Sequence, residues 1–430
     1  MPVGKDLSTF NAALVRALNE RRARRRLKGR ADRGRHPKNT YTAAIFYGLP
    51  DPQCYQVEQW LEPLKQAMGD HHKLVIITRK PSAAEVFVDD GTFPVFLATQ
   101  ISDLEQFLAQ QDIQVTFYVN NSQTNFLMLP AADCTHVALG HGESDKAASA
   151  TNQFRAYNYV FVSGEAGVAR LANRLLDYNW QHQVVIAGRP QIDREYPKFP
   201  LPDDDKITVL YAPTWDGDKV SVRYTSLDSH GEQMVDAFIK TGRHRVIFRP
   251  HPLAGTMRPE VMAAKERVIS KLEAANRADP TAGHVIDTET SFGWHLKQID
   301  ACVSDISAVA FDWLATAKPL VVTMPSEPRT IPDPKGIAGS LDLLPADRAP
   351  EVAAIVDELI SQGVTESYKA LVDYYFGDTT PGASTERFVG AVREMFVRNR
   401  EAREARDRQS FGAPPGRAHT GVDAHSQLEA

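Results

Sequence analysis

Short apolar strands alternate with helical segments along most of this chain, and the alternation occurs in two separate series. That pattern specifies parallel βαβ units rather than a bundle or a sandwich. In the first series the spacing predicts strands at 42–47, 73–78, 95–98, 116–119, 135–139 and 159–163, with helices at 56–68 and 101–110. The second starts near Lys206, with strands at 207–211, 245–249, 284–287, 301–303 and 319–323 and helices at 231–241, 260–276 and 308–317. Further helices are expected at 352–361, 364–375 and 388–398. Between the series, Pro190 to Asp205 is rich in proline and acid, as interdomain linkers often are. The expected organisation is a basic arm over 1–38, one α/β domain over 39–195, a second over 206–397, and a charged, then Gly/Pro/Ser-rich tail over 398–430 that should be disordered.

A length of 430 residues suits two such domains better than one core. The longest apolar runs, 74–78 and 319–323, fall far short of the roughly 20 residues that span a bilayer. No apolar signal core follows Met1, so a cytoplasmic protein is expected. Cys54, Cys134 and Cys302 are too far apart for a disulfide framework or a zinc site and are expected to be buried small hydrophobes. A net charge of −5 argues against general nucleic-acid binding. The charge is uneven, however: Arg16 to Lys38 holds eleven cations against Glu20 and Asp32, just after an apolar strip of Phe10, Leu14, Val15 and Leu18. Such an arm either attracts anionic lipid head groups, at roughly 1 kcal/mol per charge, or is simply solvated.

In an open parallel sheet, ligands bind beyond the carboxyl ends of the strands, so polar residues there carry the functional expectation. Ser304-Asp305-Ile306-Ser307 ends one strand and opens a helix, where Asp305 and Ser307 fit N-cap roles and Ser307 could also donate to a phosphate. Arg249-Pro250-His251-Pro252 ends another; the prolines hold the backbone extended, Arg249 suits a bidentate phosphate contact and His251 a second oxygen. In Tyr211-Ala212-Pro213-Thr214-Trp215, aromatic and hydroxyl groups either flank a base or phosphate or cover the sheet edge. In the first series Gly140-His141-Gly142 closes a strand and leads to Lys146, placing a candidate proton acceptor between two glycines. Asp203-Asp204-Asp205 precedes its strand and reads as a solvated loop, and His71-His72 lacks further ligands, so no metal site is assigned. The absence of a G-x-x-x-x-G-K-S/T loop argues against nucleotide-hydrolysing motors and kinases of that class. Ser384 to Arg387 opens the last helix and either closes over a ligand or ends the domain.

In order along the chain, His141 to Lys146, YNYVFVSG and AGRPQID between Tyr157 and Asp193, YAPTW, RPHP, SDISAVAFDWLATAKP and Ser384 to Arg387 resemble the CDP-glycerol glycerophosphotransferases of teichoic acid synthesis. The resemblance implies two Rossmann-like domains facing across a cleft (GT-B type), association with the inner face of the membrane, and a CDP-polyol donor. It implies a lipid-linked glycopolymer acceptor and no required cofactor, leaving a divalent cation and a homo-oligomer open. Position by position, His141 matches the family's base and His251 its second essential histidine, while Asp305 and Ser307 match the donor loop. Arg249, Thr214, Lys146, Ser384 and Arg387 complete the expected donor site. Glu143-Ser144-Asp145 stands where the family has Thr-Pro-Leu, and Ile306 where it has Tyr. A sugar-nucleotide glycosyltransferase or epimerase, or a non-catalytic envelope scaffold, is the alternative.

Overall fold

The computed structural model describes residues 3–28, 30, 36–131, 133–146 and 149–411. Among the described residues, twelve strands form two parallel sheets. The first contains β1 (Ala43–Tyr47), β2 (Leu74–Thr78), β3 (Val95–Leu97), β4 (Val115–Tyr118), β5 (Thr135–Ala138), β6 (Tyr159–Val162) and β7 (Val184–Ile186), in the order β3-β2-β1-β4-β5-β6-β7. The second contains β8 (Ile207–Ala212), β9 (His244–Phe248), β10 (Val285–Ile286), β11 (Ala301–Ser304) and β12 (Leu320–Val322), ordered β10-β9-β8-β11-β12. Both sheets reverse direction of winding beside their first strand, between β1 and β4 and between β8 and β11. A crevice opens at such a switch point, at the strands' carboxyl ends. The fold is α/β, with two Rossmann-like domains of GT-B type.

The strands are continuous apolar runs because helices cover both faces of each sheet. Ile45, Tyr47, Val115 and Phe117 pack on one face of the first sheet, and Ala44, Phe46, Val75 and Tyr118 on the other. Leu210, Cys302 and Val322 oppose Val209, Val246 and Val303 in the second. The three cysteines are buried and unpaired. Helices Pro81–Asp90 and Glu165–Arg174 and strand β7 complete the first domain; the sequence pattern did not single them out.

One expectation about the chain ends is corrected. The last helix runs from Ala383 to Phe411, so the stretch from 398 to 411 is helical; 412–430 lie outside the described residues. This helix also leaves the second domain and packs on the first, through Phe388, Val392, Met395 and Phe396. Their spacing makes one apolar stripe, and burying such side chains contributes roughly 1.5–3 kcal/mol each. Beyond the stripe, Asn399 Nδ2 donates to Asp133 O at 3.1 Å and to Thr135 Oγ1 at 3.0 Å, and Arg403 reaches Asp112 at 2.7 Å. The charged run thus has partners on the first domain rather than water alone.

At the other end, a helix spans Val3–Arg26 and docks on the first domain. Ser82 donates to Glu20 from its amide at 3.0 Å and its hydroxyl at 2.6 Å, Arg26 pairs with Glu85, and Ala23 and Leu27 are buried. Leu14, Val15 and Leu18 face outward. Residues 31–35 of the basic arm lie outside the described residues. No helix among the described residues is long and apolar enough to cross a membrane.

Candidate active site

A cleft of about 1070 Å³ lies between the carboxyl ends of the two sheets. The first domain supplies Tyr55 and Gln59 from helix Tyr55–Met68, Asn120 after β4, and the loop from Gly140 to Lys146 after β5. Across the gap stand Thr214 and Trp215 after β8, Arg249 and His251 after β9, Thr288 to Phe292 after β10, and Ser307 after β11. The linker lines the cleft as well, through Arg189, Arg194, Tyr196 and Lys198.

His141 is held by its backbone and by one ring nitrogen. Gln59 Nε2 donates to His141 O at 3.1 Å and Trp60 Nε1 to Gly140 O at 2.7 Å. Gly140 and Gly142 have φ of 70° and 137°, which side-chain-bearing residues avoid. Gly142 is also pressed against the opposite domain: a Cβ there would lie 2.6 Å from Ala308 Cβ. His141 Nδ1 lies 3.1 Å from Val119 O. A carbonyl oxygen only accepts, so the proton sits on Nδ1 and Nε2 keeps a free lone pair. Burial lowers the pKa of His141, opposed by the Val119 bond and reinforced by the charge of Arg189. The ring is therefore neutral near pH 7 and able to take a proton.

His251 has the opposite tautomer. Its Nδ1 accepts the Leu253 N–H at 3.1 Å, so Nε2 carries the proton and serves as a donor. Burial, then the charges of Lys146 and His141, push its pKa down to about 4. Lys146 crosses the cleft to donate to Thr214 Oγ1 at 3.0 Å, with Nζ 5.2 Å from the Tyr224 ring centre. Burial brings its pKa down to about 8 while Asp305 opposes the shift, which leaves the ammonium largely charged at pH 7.

Arg249 Nη1 donates to Asp287 at 2.6 Å, so only part of its guanidinium faces the cleft. Asp287 also accepts from His295 Nε2 at 2.8 Å and from the Thr290 hydroxyl at 2.8 Å. Burial opposes ionisation of Asp287, but these bonds and the charge of Arg249 hold its pKa well below the usual carboxylate range.

Of the predicted donor-site residues, the structure brings His141, Lys146, Thr214, Arg249, His251 and Ser307 to the cleft surface. Ser307 is the N-cap of helix Ala308–Leu314, accepting from Ala310 N at 3.4 Å. Three predicted residues stand behind it. Asp305 is not a cap: it is fully buried and accepts from Thr214 N at 2.6 Å, Ser226 N at 3.1 Å and Thr323 Oγ1 at 2.7 Å. It braces the loops that carry Thr214 and Ser307. Ser384 accepts the Arg189 N–H, and Arg387 donates to Phe376 O at 2.9 Å and Asp378 O at 2.8 Å. Both pin the last helix rather than line the cleft. Asp204 pairs with Arg245, and no group able to hold a metal ion occurs among the described residues.

The sequence reading missed Arg189, which is buried and donates from Nε to Asp312 at 2.8 Å and from Nη2 to Gln59 at 2.8 Å. It ties the linker to helices of both domains. Its signal, an arginine directly before a proline, is shared with Arg249-Pro250. Glu143 and Asp145, both bound to Arg170, were also missed, at 2.9 and 3.2 Å.

Paired Rossmann-like domains of GT-B type thus bring His141, His251 and several cations, Lys146 and Arg249 among them, to one cleft. The profile of the CDP-glycerol:poly(glycerophosphate) glycerophosphotransferase family matches residues 107–393, more than half of the chain, and the protein belongs to that family. Among solved structures, the wall teichoic acid polymerase TagF is similar with a TM-score of 0.53 and 14% identity, covering 92% of this chain and 99% of that one. A putative UDP-N-acetylglucosamine 2-epimerase from Listeria monocytogenes matches with a TM-score of 0.51 and 12% identity, over 83% of this chain and 96% of its own. S. aureus MnaA in complex with UDP gives 0.53 and 12%, over 81% and 95%. At these identities the structural likeness shows the fold. A search of curated protein sequences gives no match.

Proposed function

We propose that the protein transfers glycerol phosphate, or a similar polyol phosphate, from a CDP-polyol to a hydroxyl of a lipid-linked cell-wall glycopolymer, releasing CMP. The observation that carries this reading is the pair of opposite tautomers, His141 with a free Nε2 and His251 with a protonated one, in a single cleft. In the proposed step, His141 Nε2 takes the proton of the acceptor hydroxyl as its oxygen bonds to the β-phosphorus. The bond from that phosphorus to the bridging oxygen breaks, and CMP leaves with that oxygen. Phosphoryl transfer needs alignment and charge stabilisation more than covalent help. His251 Nε2–H, Lys146 and the exposed part of Arg249 supply donors to the phosphate oxygens, and Thr214 and Ser307 add hydroxyls. Assays with Mg²⁺ or a chelator measure whether a divalent cation contributes.

Attachment to the inner face of the cell membrane is part of the proposal. What supports it is helix Val3–Arg26, whose Leu14, Val15 and Leu18 are exposed beside exposed Arg21, Arg22, Arg24 and Arg25. The test is CMP release from a panel of CDP-polyols and UDP-sugars with a lipid-linked acceptor extract, beside His141→Ala and His251→Ala. Release of CMP from a CDP-polyol, lost in both folded variants, is the expected result. UDP release, or near-normal turnover by His141→Ala, overturns it.

A further inference from the structure

The loop that carries His141 and Lys146 is bolted to both domains through one carboxylate that neither binds nor faces the proposed substrate. Asp145 is buried, with 8% of its surface exposed. Its Oδ1 accepts from Arg170 Nε at 3.2 Å, on helix Glu165–Arg174 of the first domain. Oδ2 accepts from two groups of the second domain: the Ile337 N–H at 2.6 Å and the Tyr375 hydroxyl at 2.8 Å. The fit is close on that side, since a Cβ on Gly336 would lie 2.2 Å from Oδ2. Two residues earlier, Glu143 accepts from Arg170 Nη1 at 2.9 Å and from the Ser163 N–H. One residue later, Lys146 reaches Thr214. The loop therefore has no route to its observed position that leaves the domains apart.

We infer that Asp145 is a positioning residue for the transfer step, a latch that holds the His141 loop against the second domain, so that the base and the Lys146 ammonium face Arg249 and His251 only while the two domains are held together. Here, separating the domains pulls Asp145 from Ile337 and Tyr375 and leaves it with Arg170 alone, so the loop stays with the first domain and is no longer held against the second. His141, still held by Gln59 and Val119, and Lys146, cut from Thr214, then move away from Arg249 and His251 together. A buried ion pair with hydrogen bonds from both sides suits this task better than an apolar contact, because a half-satisfied arrangement is strongly disfavoured. The inference rests on the proposed transfer reaction for its kinetic consequence, although its structural consequence does not.

The test combines kinetics with an interdomain distance. Spin labels at Lys65→Cys and Glu273→Cys, both exposed and in different domains, report domain separation, while the three native cysteines are buried. Asp145→Ala is expected to lower kcat about 100-fold, the scale of an ångström-level misplacement, and to broaden the distance distribution. Donor affinity should fall far less than kcat, since Arg249, His251 and the loop from Thr288 to Phe292 remain in place on the second domain and only Lys146 is displaced. Tyr375→Phe, which removes one bond and no charge, should be intermediate in both readouts, and it decides the matter should Asp145→Ala fail to fold. A loss of kcat with an unchanged distance distribution makes the role purely local and overturns the latch; so does wild-type kcat in either variant. A wild-type protein that releases no CMP sinks the reaction assignment, while the distance readout still decides the latch.

Discussion

Gly142→Ala is the sharpest single test of the site geometry. The added Cβ would sit 2.6 Å from Ala308 Cβ, where ordinary contact begins at 3.4 Å, so about 0.8 Å of separation must be found. The site has little slack to provide it, because Gln59 and Trp60 hold the loop from one side and helix Ala308–Leu314 is buried on the other. The backbone adds its own penalty: a φ of 137° in a residue with a side chain costs on the order of 1–3 kcal/mol. A displacement near 1 Å at the base lowers the rate of transfer by about 100-fold. The measurement is kcat at saturating donor and acceptor, with thermal unfolding alongside. The double variant with Ala308→Gly removes the clash and leaves the φ strain. It should recover most of kcat while its melting temperature stays low. Wild-type kcat in Gly142→Ala, or no recovery in the double variant, refutes the claim that contact across the cleft places His141.

Four further outcomes are expected. The pKa values of His136, His251, His284 and His295 are each held to about 4, chiefly by burial, against 6.5 in the unfolded chain. The folded protein then binds fewer protons than the unfolded chain within that window, so stability present above pH 6.5 is lost as pH falls toward 4; a melting temperature flat from pH 7 to 5 contradicts this. In the pH–rate profile, kcat should fall on the acid side at a pH below 6.5 as His141 protonates, and on the alkaline side near 8 as Lys146 loses its proton, with Lys146→Met abolishing the alkaline limb. Asp287→Asn leaves Arg249 without its counter-charge and should cost about 3 kcal/mol in denaturant unfolding and weaken donor binding about tenfold; unchanged values in both assays remove Asp287 as the group that orients Arg249. Ending the chain at Arg398 deletes the bonds of Asn399 and Arg403 to the first domain and should cost about 2 kcal/mol, and an unchanged unfolding midpoint would show that the helix beyond 398 adds nothing.

Most of the fold was legible because its signal is local. An apolar run such as Leu74–Thr78 or Ala301–Ser304 reads as a buried strand from composition alone, and the switch from period 2 to period 3.6 marks the following helix. The elements passed over have local reasons too. β7 is three residues long and half-buried, and helix Pro81–Asp90 begins at a proline without a side-chain cap, so neither shows a strong pattern. The last helix was cut short at 398 because its charge density resembles that of a solvated tail, whereas the apolar stripe from Phe388 to Phe396 and the contacts of Asn399 and Arg403 belong to the first domain. Composition cannot show a partner nearly three hundred residues away.

The same distinction separates the predicted residues that reach the cleft from those that do not. His141, His251, Thr214 and Ser307 lie just beyond strand ends, and the topology of a parallel sheet sends those positions to the crevice whatever the rest of the chain does. Asp305 shares that location but points the other way, since its carboxylate completes bonds to loops from β8 and β12, a choice of side that the local sequence leaves open. Arg189 meets Asp312 across 123 positions, and Asp145 meets Tyr375 across 230. Such pairs exist only once two domains have folded and met, so no window of the sequence contains both halves. Their burial explains why the chain keeps them in matched form: an unpaired guanidinium or carboxylate in that interface would cost several kcal/mol, more than most surface contacts return. The groups that line the cleft were legible as positions on a sheet, and the groups that hold the sheets in register around them were legible only as contacts.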